Sequence, residues 1–510
     1  FFCFSFSQNN GKILNKKIEK MYTWIFATGV IFAFYNAWGG GANDCANSFA
    51  TAVGSKTLTL KQAILVASIF EFTGAVLMGS HVTDSVRKNI VSLDIFEDDP
   101  GALMLGMLCA DLASAIWLTV ATYLRWPVST THSIIGAIIG FALAYGGDSA
   151  VNWEKTGYIV LSWLVSPLLA GIFSLTFFTF IKKFVFDSLN PFERTEKIFP
   201  VLTFVTFFIN TLFIIYKGSP ALDIDEMPIE KCIGITASIS QFIYLPYARK
   251  RTLASTDSGP DEIEMQEVDS SRSSSYINTF SDLEGETQNH HEVDEEDNLD
   301  TRIEKVRQNL TTLITERSEN KINELHKNAY HIDEKSDKLC SWLQIFTSCF
   351  SSFAHGSNDV ANAVAPLATI YSIYTLDRVE STAVVPVWIL LIGGVGIVFG
   401  LATWGYKIID KIGRELTKVS PSRGFIIELA AAITVIIASR TELPVSTTHC
   451  QVGSVVGCGL SNGKKNVQWK LLKGIVWSWV ITLPVTGFLS AALFSYGFYS
   501  PNSLSNITMV

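Results

Sequence analysis

Two short polar motifs each occur twice in this chain, in the same order. The letters GANDCAN at residues 41–47 return as GSNDVAN at residues 356–362, and PVSTTH at residues 127–132 returns at residues 444–449. The two spacings are 315 and 317 residues, so the duplication covers a whole structural half. Amides, hydroxyls and lone carboxylates are costly within apolar membrane segments. Both repeated motifs lie within hydrophobic segments of this chain. Duplicated polar residues in such segments are typical of secondary transporters and predict a polar site within the membrane.

The first motif offers ligands for a hard cation. In each copy an asparagine, an aspartate and a second asparagine lie at positions i, i+1 and i+4, so a helix would place both amides on one face beside the carboxylate. The preceding glycines allow the helix to break there, which frees backbone groups to meet a ligand. Oxygen ligands of this kind suit sodium, and an ordinary helix cap at the membrane edge is the structural alternative. The residues are Asn43, Asp44, Asn47, Asn358, Asp359 and Asn362.

The second motif predicts a helix amino terminus, because a proline is followed by hydroxyl residues and then by an apolar run. The free N–H groups and the positive dipole end of such a helix attract anions, and the hydroxyls add three donors. Two termini that face each other would hold a tetrahedral oxyanion, whereas capping without a ligand is the alternative. The hydroxyl residues are Ser129, Thr130, Thr131, Ser446, Thr447 and Thr448.

Neither motif contains a lysine or arginine, although an anion at mid-membrane would ordinarily require one. Asp44 and Asp359 would even repel the anion. The conflict disappears if cations lie between the carboxylates and the anion, or if the anion carries protons and donates them to the carboxylates in hydrogen bonds. We therefore expect the anion to bind well only together with its cations, and this mutual dependence is the coupling.

Three further carboxylates, Glu71, Asp111 and Glu428, lie within apolar segments. A gapless alignment of residues 111–140 on 428–457 pairs Asp111 with Glu428, which general apolar composition does not explain. An ionisable residue at that depth predicts a role in transport, and a carboxylate that reaches water at a helix end is the alternative. His132 and His449 are predicted to pack or to form hydrogen bonds rather than to bind a ligand.

Composition indicates a membrane protein with many spans. Of 510 residues 48 % are hydrophobic, 34 are phenylalanine, and the mean hydropathy is +0.30. Residues 248–338 hold 22 of the 47 acidic and 12 of the 39 basic residues, so this segment alone carries a charge of −10. The net charge of −8 therefore describes one polar insert and gives no support for nucleic-acid binding. The eight cysteines lack a CxxC pair and are predicted to pack rather than to form disulfides or bind metal.

The predicted fold is an all-α polytopic membrane protein with about twelve transmembrane segments in two inverted repeats with broken or re-entrant helices. The apolar runs after each hydroxyl block, 134–144 and 452–460, are short and are predicted to be half-helices. The predicted divisions are an amino-terminal extension (1–21), repeat 1 with connecting helices (22–247), a disordered acidic cytoplasmic loop (248–338), repeat 2 (339–498) and a tail (499–510).

At these motifs the chain resembles the inorganic phosphate transporter family, which includes eukaryotic sodium-dependent phosphate symporters and relatives that use protons. The resemblance covers about residues 22–247 and 339–496 and implies a multi-pass, commonly dimeric protein of the plasma membrane. It implies that Asn43, Asn358 and both hydroxyl blocks contact phosphate, that Asp44, Asn47, Asp359 and Asn362 bind sodium, and that Glu71 and Glu428 take part in transport. Cys45 stands where the family usually has valine, and Ser357 where alanine is common.

The leading hypothesis is a symporter for inorganic phosphate and sodium that works by alternating access, with sodium as co-substrate and no other cofactor. Proton coupling and sulfate as the anion are the alternatives. A remote alternative is an intramembrane hydrolase that uses Ser129 with His132. No local acid orients that histidine, and duplication gives hydrolysis no advantage, so the chain is not predicted to be an enzyme.

Overall fold

The computed structural model describes residues 2–80, 90–217, 230–241, 322–327, 329–380, 385–440 and 445–500, together with residues 228, 307, 319 and 320. These residues form helices and turns with one isolated β-bridge, so the all-α prediction is confirmed for this part of the chain. The described residues within Phe1–Tyr244 and Glu324–Val510 form one compact unit. Most of the predicted acidic loop and of the predicted tail lies outside the described residues.

Each half of the chain contains a comparable series of helices. The first half contains α1 (Phe2–Asn43), α2 (Ala46–Gly54), α3 (Leu60–Met78), α4 (Pro100–Tyr123), α5 (Thr130–Gly146), α6 (Trp153–Ile181) and α7 (Pro191–Lys217). The second half contains α8 (Glu334–Leu376), α9 (Val387–Trp404), α10 (Tyr406–Asp410), α11 (Pro421–Arg440), α12 (Thr447–Leu460) and α13 (Trp469–Tyr499). Helix α8 begins at Glu334, within the segment predicted to be a disordered loop.

Six helical segments of the described chain are long and apolar enough to cross a membrane: Leu60–Met78, Pro100–Tyr123, Thr130–Ala150, Trp153–Phe186, Val387–Trp404 and Trp469–Tyr499. Large apolar side chains on the outside of α6 and α13 are widely exposed, for example Leu168 at 68 % and Phe488 at 78 %, as expected for surfaces that face lipid. Helix α12 has 14 residues and spans about 21 Å, short of the bilayer core, which fits a half-helix. Helix α5, also predicted to be a half-helix, is long enough to cross when it is counted to Ala150.

The two Asn/Asp motifs differ in backbone conformation. At the first motif, α1 ends at Asn43 and α2 begins at Ala46, and the N–H groups of Asp44 and Cys45 both donate to the carbonyl of Gly40. The predicted break is confirmed there. At the second motif, α8 continues without interruption, so the prediction of a break was wrong. Two glycines precede the first motif and a third begins it, whereas the second motif has a single glycine at its start. Each glycine weakens a helix by about 1 kcal/mol relative to alanine.

Helices of one half pack against helices of the other in matching pairs. Helix α1 packs against α9, and the corresponding contact with the halves exchanged is α8 against α3. In the same way, α5 packs against α13, and α12 packs against α6. Two of these contacts depend on glycine: a β-carbon at Gly140 of α5 would collide with the carbonyl of Gly487, and one at Gly457 of α12 with the carbonyl of Gly171. The two halves are therefore interlocked, and each contact occurs twice with the halves exchanged.

Candidate functional site

Asp44 lies in the turn between α1 and α2 and is fully enclosed, with 1 % of its surface exposed. One carboxylate oxygen, Oδ2, accepts hydrogen bonds from the backbone N–H of Thr130 at 3.1 Å and from its hydroxyl at 3.0 Å. The other, Oδ1, accepts from the hydroxyl of Thr448 and from Nδ2 of Asn47 at 3.1 Å. Asp44 thus joins the amino termini of α5 and α12, one from each half of the chain.

The hydroxyl of Thr130 is shared by the aspartates of both motifs. Its Oγ1 lies 3.0 Å from Oδ2 of Asp44 and 3.0 Å from Oδ2 of Asp359, and it accepts a hydrogen bond from Nδ2 of Asn362 at 3.0 Å. A hydroxyl has one proton, so it can donate to one of the two carboxylates at a time. Two ionised carboxylates at this distance from one oxygen require a proton or a cation to relieve their repulsion.

His355 connects this carboxylate pair to Glu71 of α3. Its Nδ1 lies 3.2 Å from Oε2 of Glu71, and its Nε2 lies 3.2 Å from Oδ2 of Asp359 and 3.5 Å from Oδ1 of Asp44. All four side chains are buried. Among the contacts of the described residues, none joins these carboxylates to a lysine or arginine. The site is therefore an acidic cluster whose one basic side chain is a histidine.

Sequence analysis missed His355, because the duplicated copy has Gly40 at the corresponding position. A different signal would have found it. Polar residues recur every three or four positions along one face of α8, and each of them contacts the acidic site or a neighbouring carboxylate: Ser348, Ser352, His355, Asp359 and Asn362. Such a polar stripe in a buried helix marks a face that lines a polar site.

The other two predicted carboxylates lie around the central cluster. Glu428 of α11 accepts hydrogen bonds from the hydroxyls of Thr51, Thr347 and Ser348, the last at 2.7 Å. Asp111 of α4 accepts from Nδ2 of Asn36 at 2.8 Å, and its other oxygen is buried without a partner. Both are buried, so neither is a carboxylate that reaches water at a helix end.

The hydroxyl blocks begin helices, as predicted. Ser129 caps α5 by accepting from the N–H of His132, and Ser446 caps α12 by accepting from the N–H of His449. The two histidine rings pack 4.3 Å apart, and Trp163 and Trp479 lie against them, so the prediction that they pack is confirmed. The structure thus brings the two helix termini together.

Asn43 and Asn358 are placed differently from each other. Asn43 donates to the hydroxyl of Thr122 and to the carbonyl of Trp126, and it accepts from the N–H of Val128, each at 2.9 Å. Its amide therefore holds the loop that precedes α5. Asn358 is partly exposed, in contrast to the buried Asn43.

A small cavity of about 30 Å³ lies beside the cluster. Three polar residues in its wall carry a buried atom without a hydrogen bond: Asn47 Oδ1, Thr447 Oγ1 and Gln451 Nε2. Thr447 and Gln451 are one turn apart at the start of α12. Buried polar atoms are normally satisfied, so this wall has donors and an acceptor available to a ligand.

A buried ionic site shared by two interlocked helical halves with a lipid-facing surface indicates the class of protein: an integral membrane transporter. Comparison with known families is more specific. The model of the phosphate transporter family matches residues 40–490, and the chain belongs to this family.

Individual relatives agree with this assignment. The chain is 30 % identical to sodium-dependent phosphate transporter 1 of Mus musculus, over 92 % of this chain and 95 % of that protein. It is 35 % identical to a putative phosphate permease of Chlamydia trachomatis, over 91 % and 96 %. A solved structure of a sodium-dependent phosphate transporter is similar with a TM-score of 0.70 and 31 % identity, covering 92 % of this chain and 98 % of that one. The family predicted from the motifs is confirmed.

Proposed function

We propose that this protein is a symporter that moves inorganic phosphate together with sodium across the plasma membrane by alternating access. Its family and its similarity to sodium-dependent phosphate transporters support the substrates. The acidic site, enclosed between the two halves, supports the mechanism, because relative motion of the halves would open it to either side.

The observation that carries the proposal is the Thr130 hydroxyl between Asp44 and Asp359, 3.0 Å from each. A sodium ion bound beside this hydroxyl, between the two carboxylates, would relieve their repulsion. It would also present positive charge to the anion. Asp44, Asn47, Asp359 and Asn362 would supply its oxygen ligands. A shared proton relieves the same repulsion, so proton coupling is the second candidate.

The anion would bind on the other side of the cation, at the amino termini of α5 and α12. The unpaired groups of Thr447 and Gln451 face the cavity there. About 30 Å³ is room for one or two waters and is smaller than phosphate. We therefore propose that phosphate enters after the halves separate and the cavity widens, with Ser129, Thr130, Thr131, Ser446, Thr447, Thr448, Asn43 and Asn358 as candidates for its site.

We further propose about twelve membrane segments, two inverted repeats and a homodimer. The matching packing of α1 on α9 and of α8 on α3 supports the repeats. The dimer and the plasma membrane rest on the family resemblance.

The test is uptake of radiolabelled phosphate into proteoliposomes that contain the full chain. An inward sodium gradient is compared with an equal potassium gradient at two pH values, and labelled sulfate is run in parallel. Uptake that requires sodium is the expected result. Uptake driven by a proton gradient alone would show that the carboxylates bind protons rather than sodium. Uptake of sulfate in place of phosphate would contradict phosphate as the substrate.

Thr130 gives a sharper prediction. Thr130→Ser keeps the hydroxyl and is expected to keep sodium-driven uptake, whereas Thr130→Val keeps the shape and is expected to lower it by about 10-fold or more, as for a lost hydrogen bond to a charged group. The matched control is Thr375→Val, because the hydroxyl of Thr375 binds helix carbonyls alone. Equal uptake by the serine and valine variants at position 130 would contradict the role of this hydroxyl.

A further inference from the structure

Beside the acidic pair lies a cluster with the composition of a transition-metal site. Sγ of Cys45 is 3.4 Å from Oε2 of Glu71 and 3.4 Å from Nδ1 of His355, and those two atoms are 3.2 Å apart. All three side chains are buried. Tetrahedral zinc, with bonds of about 2.0–2.3 Å, places its ligand atoms about 3.3–3.6 Å apart. The three distances between these atoms are therefore close to the edge lengths of one face of the ligand tetrahedron around a metal ion.

We propose that Cys45, Glu71 and His355 bind one thiophilic divalent cation, Zn²⁺ or Cd²⁺. Thiolate and imidazole ligands favour these ions, whereas sodium prefers oxygen ligands alone. The site is thus different in chemistry from the proposed sodium site, although His355 borders both.

Groups behind the ligands are suited to hold them in place. Ser352 donates a hydrogen bond to the other oxygen of Glu71 at 2.9 Å. Nε2 of His355 faces Oδ2 of Asp359 at 3.2 Å, which gives the carboxylate–histidine–metal arrangement common in metal proteins. With Nδ1 bound to metal, the imidazole proton lies on Nε2, toward Asp359. The thiol proton of Cys45 leaves to solvent when the metal binds.

The ligands come from separate parts of the fold. Cys45 lies in the turn before α2 and Glu71 in α3, both in the first half, while His355 lies in α8 of the second half. His355 also lines the small cavity, which gives an ion a place to approach. On the proposed function, a bound metal would tie the halves together and arrest transport.

Binding is tested on the purified full chain in reducing buffer by titration with CdCl₂, read from the ultraviolet thiolate-to-cadmium charge-transfer band and by calorimetry. We expect one Cd²⁺ per chain in the wild type. Cys45→Val should lose the band, and Ser352→Ala should weaken binding by about 10-fold, as for other outer-shell groups. Cys109→Ala, which alters a buried cysteine outside the cluster, should bind as the wild type does. An unchanged band in Cys45→Val, or no band in folded wild type, would overturn the proposal.

A second measurement uses the same proteoliposomes as the uptake test. Cd²⁺ is expected to inhibit wild-type uptake at the concentrations that saturate the band, and a chelator should restore it. Uptake without Cd²⁺ tests the proposed function separately, so failure of transport and failure of metal binding are distinguishable. If Cd²⁺ binds saturably but does not change phosphate uptake by active transporter, the metal site is retained and the proposal that the metal arrests transport is rejected.

Discussion

Asp44→Asn and Asp359→Asn are each expected to lower sodium-driven phosphate uptake by about 100-fold or more, the loss typical when one partner of a buried ionic network is removed. At position 44 the new amide would turn a donor toward the N–H and hydroxyl of Thr130 or toward the hydroxyl of Thr448, which now donate to the carboxylate. At position 359 it removes the charge that faces His355. Uptake at saturating phosphate over a range of sodium concentrations measures the effect.

The control for both variants is Asp148→Asn, because Asp148 is exposed and lies 104 residues along the chain from Asp44 and 211 from Asp359. Each variant should elute from size exclusion as the wild type does, which separates loss of transport from loss of folding. Sodium-dependent uptake at near wild-type rates in either site variant would remove that aspartate from the cation site.

Gly140→Ala and Gly457→Ala are expected to destabilise the protein by about 3 kcal/mol each, at the upper end for overpacking, because the new methyl groups meet backbone carbonyls that cannot rotate away. The two contacts are equivalent in the interlocked halves, so the two losses should be similar. Thermal unfolding in detergent, followed by fluorescence-detected size exclusion, measures both.

The partner helices supply matched controls. Gly157 in α6 and Gly474 in α13 have nothing within 4 Å of an added β-carbon. Alanine at either site should leave stability unchanged or raise it slightly, since alanine favours the helix. Wild-type stability of Gly140→Ala would show that α5 and α13 do not approach as closely as described.

Local features of the site could be predicted from the sequence. The starts of α5 and α12 follow from a proline, a capping serine and an apolar run, all of which act within a few residues. The duplication also identified Asp44 and Asp359 together, and the structure brings both to one hydroxyl. Burial of Glu71, Asp111 and Glu428 followed from their positions in apolar segments.

Differences between the two halves could not be predicted. His355 is unique to the second copy, and its importance comes from Glu71 and Asp44, which lie about 300 residues away in the chain. The uninterrupted α8 was also missed, because copies with the same Asn/Asp letters differ in the number of glycines before them. Duplication predicts what two halves share, and both of these features are differences between them.

The interlocked packing has a consequence for how the protein is made. During synthesis the amino-terminal half leaves the ribosome first, as in other multi-part chains. Its helices α1 and α5 then wait in the membrane for α9 and α13, which are translated only after the long polar segment. The glycine faces of α5 and α6 stay uncovered until α13 and α12 are translated. A nascent chain that stops in the polar segment would hold a half-built site, and it should be recognised by membrane quality control rather than persist as an independent half.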